Sequence, residues 1–522
     1  MRYLFPLFLV LSCLLTFLPG CEPNEDLVQT SGSLEFAQDT VLFDTVFTTI
    51  KTVTKRLWVY NRNSGAVKTD VSLGGTAGSP YSLIIDGDAG SAKSGVLIRG
   101  NDSLQVLVRA VLGDNGQAKK FLVTDQVNFR TNGTNQNVKL VAYGQNAYFH
   151  RADYITANTT WATDKPHVII NANRVLPGST TPSLFGVLVS NRVTLTIPKG
   201  ARIYSHAGAL IRVDGTLRVN DDFMPTDTVK ASNPNIVRFQ GDRLEPEYSD
   251  IPGQWVGIVF TATSRNNSIR YAEIKNATFG ALLYNPDGNT AHPDLTVSNT
   301  VIRNISASNV SFANATASTG GGIISYSGNV TATNCLFTNC GEYAVLGVGG
   351  GVYDFNFCTF ANYTPAFRRE TASLTFTNEK ATDARVHLPI SLTLSNSIVW
   401  GSNLNVTTLD DELYLKNYLE YPTTGVLSIY NNLLRTKEYA TIAAVVGPAG
   451  ANLNLLNVDP LFVRTALVSS RPDYTLQAAS RANAPRRPPV VGVGTVSSHD
   501  LLNLPRPAPS NQRPALGAYE HR

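Results

Sequence analysis

Two stretches decide the fold: "NCLFTNCGEYAV", residues 334–345, and "FCTFANYT", residues 357–364. Each sets a small residue, an apolar residue and an asparagine two positions apart, as Cys335-Phe337-Asn339 and again as Cys358-Phe360-Asn362, 23 residues later. Ala272-Ile274-Asn276 and Thr300-Ile302-Asn304 carry the same pattern upstream, and Ser397-Val399-Gly401 and Asn432-Leu434-Thr436 are weaker copies downstream. Successive anchors lie 28, 35, 23, 39 and 35 residues apart, so the shortest spacing is the bare repeat and the others carry loops. A two-residue alternation is the period of a strand. Strands this short cannot bury a face alone and need stacked neighbours, which predicts a β-solenoid. Cys335, Phe337 and Asn339 should then share one side of their strand, and Cys358 should stack on Cys335. Strand neighbours about 4.8 Å apart leave two readings of those sulfurs: reduced thiols filling an interior slot, or a disulfide.

The same grammar extends outward. "VTLTIPKGARIYSHAGALIRVDGTLRVN", residues 193–220, alternates Val193, Leu195 and Ile197, breaks at Gly200, then alternates Ala209, Ile211 and Val213 before turning at Asp214-Gly215. "LTIPKGARIYSHAGALIRVDGTLRV" followed by "PNIVRFQGDRLEPEYSDIPGQWVGIVF" resembles the first coils of the right-handed parallel β-helix family, which includes pectate lyases, polygalacturonases and many exported bacterial lipoproteins. "NVDPLFVRTALVSSRPDYTLQAASRANA" and "RPALGAYEHR" are similar to the ending of its exported members, so the resemblance covers about residues 165 to 520. It implies a right-handed parallel β-helix over 150–440 and a C-terminal coil or cap over 441–522.

The first folded segment, 32–146, reads differently. "RLWVYNR", "SLQVLVRA" and "QNVKLVAYG" alternate apolar and polar residues, and Asn132-Gly133 suits a tight hairpin turn. This predicts a β-sandwich of about seven strands. It resembles the immunoglobulin-like modules that precede other domains in exported bacterial proteins, so the whole chain is expected to be all-β.

"MRYLFPLFLVLSCLLTFLPGC", residues 1–21, joins Arg2, an apolar run from Leu4 to Leu18, and Gly20 before Cys21. That is the layout of a secretory signal over 1–20. "LPGC" resembles the bacterial lipobox, which implies lipidation of Cys21, a membrane partner through that anchor, and an outer-membrane lipoprotein. Residues 21–31 form a polar tether, in which Glu22, Glu25 and Asp26 resemble an acidic surface-export signal. The balance of 43 Lys and Arg against 39 Asp and Glu shows no basic stripe, which argues against nucleic acid. Three cysteines in the mature body are too few for a disulfide scaffold. A monomer is expected.

Function is less legible, because a fold shared by lyases, hydrolases and inert spikes does not choose among them. Paired aspartates on adjacent repeats are absent, no metal motif stands out, and the seven histidines are scattered. The loop "GDRLEPEYSDIPGQW" gathers Asp242, Glu245, Glu247, Tyr248, Asp250 and Trp255, enough for a sugar site or a calcium ion, although it matches no calcium motif. The alternative reading is structural, with Trp255 packed at the start of a coil. "YNPDGNTAHPD", with Asp287, His292 and Asp294, reads as a solvated insertion, and "GVGGGV", 347–352, as a bend. The expectation is a surface lipoprotein that binds carbohydrate or another polymer without catalysis. The rival is a lyase or hydrolase with its groups in the insertions 280–295 or 363–390, where Arg368, Arg369 and Lys380 could supply a base. A stalk or envelope-assembly role is the third.

Overall fold

The computed structural model describes residues 28–75, 78–224, 229–230, 233–307, 320–365, 369–403, 411–446, 453–469, 471–483, 498–507 and 514–521. The signal, Cys21 and Arg368 lie outside them. The chain divides into two compact units, with the break between Asn146 and Ala147.

The first unit contains two five-stranded sheets over one shared core. Its alternating segments bury one face, with Leu57 and Val59 at 0% exposure while Trp58 between them is 38% exposed. One sheet is antiparallel throughout. The other mixes antiparallel pairs with one parallel pair, Thr40–Phe47 against Thr134–Gln145. Asn132 and Gly133 both take positive φ, 50° and 80°, and close the hairpin between strands Phe121–Thr131 and Thr134–Gln145. A two-residue turn with this twist requires that conformation.

The second unit carries three long sheets of eleven, nine and nine strands. The chain visits them in rotation. Leu336–Cys340 lies in the eleven-stranded sheet, Tyr343–Val348 in the second, Gly351–Asn356 in the third, and Thr359–Thr364 returns to the first. Neighbouring strands pair in parallel, one coil upon the next, an arrangement consistent with a parallel β-helix. The repeat anchors meet in register: Ile274 pairs with Ile302, Ile302 with Phe337, Phe337 with Phe360, Phe360 with Val399, and Val399 with Leu434. These side chains form a rung inside a core that runs from Ile155 to Val445.

Asparagines make the corners. Asn299, Asn334, Asn396 and Asn431 connect the third sheet to the first with φ of 48°, 61°, 51° and 54°. Asparagine tolerates the left-handed region better than most residues. Its amide also bonds along the stack: Asn431 Nδ2 donates to Asn396 Oδ1 at 2.6 Å, and Asn396 Nδ2 to Asn356 Oδ1 at 2.8 Å. Phe357 holds the same corner at φ 51° in one coil, with the Arg506 guanidinium 4.2 Å above its ring.

One sequence expectation needs correction. Asn339 does not share the interior side with Cys335 and Phe337. Its backbone turns into the left-handed region at φ 49°, which breaks the alternation, and its side chain is half-buried and bonds Asn304 Oδ1 at 2.8 Å. Cys340 takes the interior place instead. In the C-terminal segment Leu455–Leu456 extends the eleven-stranded sheet and Val445 joins the interior core, while Phe462–Arg464, Asp473–Leu476 and the residues around Leu501 and Leu516 lie along the outside of that sheet. Phe462, Tyr474, Leu476, Leu501 and Leu516 cover the outward-facing Leu336, Ala361, Ile398 and Leu433. Tyr474 Oη accepts from Thr338 Oγ1 at 2.7 Å, and Arg506 Nη2 donates to Asn334 Oδ1 at 2.8 Å. Outward residues in these coils are apolar because the returning chain removes them from water.

Candidate functional site

In the earlier coils the outward positions of the same sheet carry charges among Tyr204, Gln240 and Val301. Strands Arg202–Ser205, Val237–Gly241, Ala272–Lys275 and Val301–Ile305 alternate apolar residues inward with Arg202, Arg238, Glu273, Lys275 and Arg303 outward. Register sets Arg202 beside Arg238, Arg238 beside Glu273, and Lys275 beside Arg303. Two of these three neighbours are like-charged, an arrangement that costs energy when side chains stand directly opposite. Beyond this point the columns turn to Leu336, Thr338 and the apolar positions under the C-terminal segment.

Two carboxylates face Arg238, Lys275 and Arg303. Glu273 accepts from Arg303 Nε at 2.7 Å and lies 3.6 Å from Arg238 Nε. Asp250 Oδ1 accepts from Arg303 Nη1 at 2.6 Å and from Asn304 Nδ2 at 2.8 Å. Burial alone would raise the Glu273 carboxyl, but Arg303, Lys275 and Arg238 together outweigh it and hold the group below its ordinary value. Lys275 donates to the Ser249 carbonyl at 3.0 Å, and burial, with Arg303 next in effect, pushes its ammonium below the ordinary lysine value. Burial lowers Arg238 as well. The strip is thus half-buried, preorganised and richer in positive than negative charge.

The loop 242–256 borders the strip, and most of its predicted site residues are bonded to other groups of the protein. Asp242 bonds His206 Nδ1 at 2.6 Å, and that bond raises the imidazole. Glu245 is 8% exposed and pairs with Arg243 Nε at 3.1 Å, while the Arg243 guanidinium lies 3.8 Å from the Tyr248 ring centre. Glu247 is exposed. Trp255 is 1% exposed and donates through Nε1 to the Lys275 carbonyl at 2.9 Å, so it packs at the start of a coil rather than offering a platform. The acids point to separate partners, and no group of three metal-ligating side chains occurs among the described residues. What the loop leaves open is a cleft of about 100 Å³ lined by Gln240, Arg243, Tyr248, Gln254, Lys275 and Asn276, next to the strip.

The insertions proposed for a rival chemistry are occupied differently. Arg369 and Glu412 are both fully buried and form a bidentate pair at 2.7 and 2.9 Å, so Arg369 is unavailable to an outside substrate. Lys380 sits on a two-stranded hairpin with Asp383 as its pairing residue. Asp294 accepts the backbone amides of Asn266 and Asn267, Asp287 is exposed, and His292 lies 3.3 Å from Asn285 Nδ2. Gly349, Gly350 and Gly351 make the bend between two strands with φ of 73°, 83° and 110°. Cys335, Cys340 and Cys358 are buried, unbonded thiols. Asn362 is fully buried and accepts from the Cys340 amide at 2.8 Å.

No family model and no curated protein matches the chain. Solved structures similar to parts of it include the Escherichia coli chaperone DraB, at 11% identity over 21% of this chain and 54% of that one, TM-score 0.16. The PapD-like domain 7 of human CEP192 is similar at 14% identity over 23% of this chain and 89% of that one, TM-score 0.16. A family 123 glycoside hydrolase from Clostridium perfringens is similar at 7% identity over 24% of this chain and 30% of that one, TM-score 0.18. The chain spans about half the length of the chaperone it matches. At these scores none of the three carries a fold or an activity over to this chain.

Proposed function

We propose that the chain is an exported lipoprotein, anchored through Cys21 to the outer membrane and displayed at the cell surface, that recognises an extended acidic carbohydrate without altering it. In this reading the first unit is an immunoglobulin-like spacer. The second is a right-handed parallel β-helix of the pectate-lyase type, acting as a monomer. The observation that supports recognition is the half-buried strip of Arg202, Arg238, Lys275 and Arg303, in which Arg202 stands in register with Arg238 and Lys275 with Arg303, beside Glu273 and Asp250. An anionic polymer lying across the coils would relieve that repulsion. The adjoining cleft, lined by Gln240, Arg243 and Tyr248, sets polar and aromatic side chains beside the strip.

One observation favours chemistry instead. Burial and Arg303 shift Lys275 toward its neutral amine, the direction in which a polysaccharide lyase would need it as the base that abstracts a proton. One experiment covers both readings: the chain lacking residues 1–20 is passed over immobilised acidic and neutral polysaccharides, and the eluate is followed for the ultraviolet absorbance of unsaturated ends. Salt-sensitive retention on an acidic polymer without new absorbance is expected. New absorbance that Lys275→Met abolishes would replace binding by a lyase, and no retention on any polymer would refute recognition. Protease added to intact cells should cleave the chain; resistance would refute surface display.

A further inference from the structure

The interior column that carries Phe337 and Phe360 begins on polar rungs. Tyr148 pairs with His167, and His167 with Ile203, so an imidazole stands where later coils place Phe239, Ile274 and Ile302. His150, from the first strand of the unit, meets it there. His150 Nε2 lies 2.9 Å from His167 Nδ1, His150 Nδ1 lies 2.7 Å from Asp153 Oδ2, and His167 Nε2 lies 2.7 Å from the Ala162 carbonyl. Trp161 lies flat across both rings at 4.5 and 4.3 Å and is itself 5% exposed. It belongs to the same core cluster as Ile155 and Ile169, at the start of the solenoid.

Hydrogen-bond counting fixes how many protons this chain of groups holds. The Ala162 carbonyl can only accept, so His167 donates through Nε2. A neutral His167 then offers a lone pair at Nδ1, which His150 fills by donating through Nε2. His150 Nδ1 now faces a carboxylate at hydrogen-bond distance, and the contact is attractive only if this nitrogen is protonated too. The run closes with one imidazolium between Asp153 and a neutral His167. Remove that proton and two lone pairs meet somewhere along the run. Add a second and two N–H groups meet between the histidines.

We propose that the first coil is closed over the core by a proton latch, in which a single proton held between Asp153 and His150 completes the hydrogen-bonded run and either its loss or the gain of a second opens the coil. The surroundings fit. Burial pushes the His167 imidazole down to about 4, with the neighbouring His150 adding to it, so the second proton enters only in acid. The bond from His150, aided by Arg174, holds the Asp153 carboxyl below its ordinary value and keeps it ionised. The other charged groups at the cluster are Asp164, which accepts from Tyr148 Oη at 3.0 Å and faces His167, Arg202, which also faces His167, and Lys165 over the Tyr148 ring.

The test is amide hydrogen exchange of residues 148–170 in the full chain from about pH 3 to about pH 9, corrected for the intrinsic rate, with Leu336–Cys340 as the internal reference. Protection of the first coil should peak at intermediate pH and fall at least about tenfold toward each end while the reference stays protected. His167→Gln keeps both an acceptor and a donor without titrating, so it should abolish the acid arm alone. Asp153→Asn removes the need for the extra proton and should abolish the alkaline arm alone. A flat profile in the natural chain, or an acid arm that survives in His167→Gln, overturns the latch. Should a variant fail to fold, nitrogen NMR of the natural chain decides. At the pH where the first coil is best protected, His150 must carry protons on both ring nitrogens and His167 on one; two neutral rings there would overturn the proposal.

Discussion

Replacing Glu412 by Gln should be among the most damaging single changes in the solenoid. Arg369 and Glu412 have no exposed surface, and they meet through two charged hydrogen bonds at 2.7 and 2.9 Å. The surrounding groups complete the pair: Arg369 Nη2 donates to the Asn362 carbonyl at 3.0 Å, and the Ser373 amide donates to Glu412 Oε2 at 3.1 Å. The Leu374 amide bonds the Glu412 carbonyl, and the Glu412 amide bonds the Arg435 carbonyl, so the pair ties successive coils at one corner. Taking either ion from water costs several kcal/mol, which the partner offsets only while both are present. The isosteric Glu412→Gln keeps the shape and removes the countercharge, so a loss of about 3–5 kcal/mol is expected. Arg369→Met with Glu412→Leu removes both charges and should cost far less, on the order of 1 kcal/mol. Urea unfolding followed by hydrogen exchange at Leu413–Lys416 reads the local effect even where the coils do not melt together. A Glu412→Gln loss below about 1 kcal/mol, or a double variant as unstable as the single one, would refute the reasoning.

Other consequences can be checked alongside. Cys340 is pushed up to about 12 by burial, and Cys358 is raised by burial and by the Cys335 thiol beside it, so all three should resist thiol reagents until the chain unfolds; rapid labelling of the native protein would contradict their placement. Phe337→Ala opens the middle of a stacked rung, where the Phe360 ring lies 4.9 Å away, and should cost about 3–5 kcal/mol by urea titration. His167 is neutral when folded, so its contribution is complete above pH 6.5 and is lost as pH falls through about 4. A depression from 6.5 to about 4 sets its ceiling at about 3 kcal/mol, and stability of His167→Gln should lack that decline between neutral and acid pH. A chain ending before residue 453 should expose Leu336, Ile398 and Leu433, bind hydrophobic dyes and aggregate.

The stacking was legible because it depends on a local pattern repeated many times. The apolar centres Ile274, Ile302, Phe337, Phe360, Val399 and Leu434 were visible as anchors, and each pairs with the next at the offset their spacing gives. Asn339 was misread because an alternation argument assumes extended backbone, and one left-handed residue shifts the faces of everything after it. The strip was illegible for a different reason. Arg202, Arg238, Lys275 and Arg303 span a hundred residues of sequence, and only coil lengths fix which stands beside which. The histidines looked scattered for the same cause: His150 and His167 are neighbours through strand register, with no metal-ligand spacing to announce them.

The outer face of the eleven-stranded sheet shows how one alternation can serve two ends. Its inward residues are apolar from Ile203 to Leu434, because every coil must bury them. Its outward residues are free to differ, and they divide after Arg303: charges recur up to that residue, and mostly apolar residues follow it, where the C-terminal segment lies. A purely structural solenoid has no reason to hold half of this face open, since the same covering would stabilise the earlier coils as well. Half-buried like charges left in register there are a local cost that the fold does not need, and such costs concentrate where a protein meets a ligand. Charge reversal tests this directly. Arg202→Glu should leave stability unchanged or improved, since it sets an opposite charge beside Arg238 and keeps the pairs that Glu273 makes with Arg238 and Arg303, while weakening retention on acidic polymers. If the reversed protein instead unfolds and the natural one shows no anion affinity, the strip is a structural network and the recognition reading falls with it.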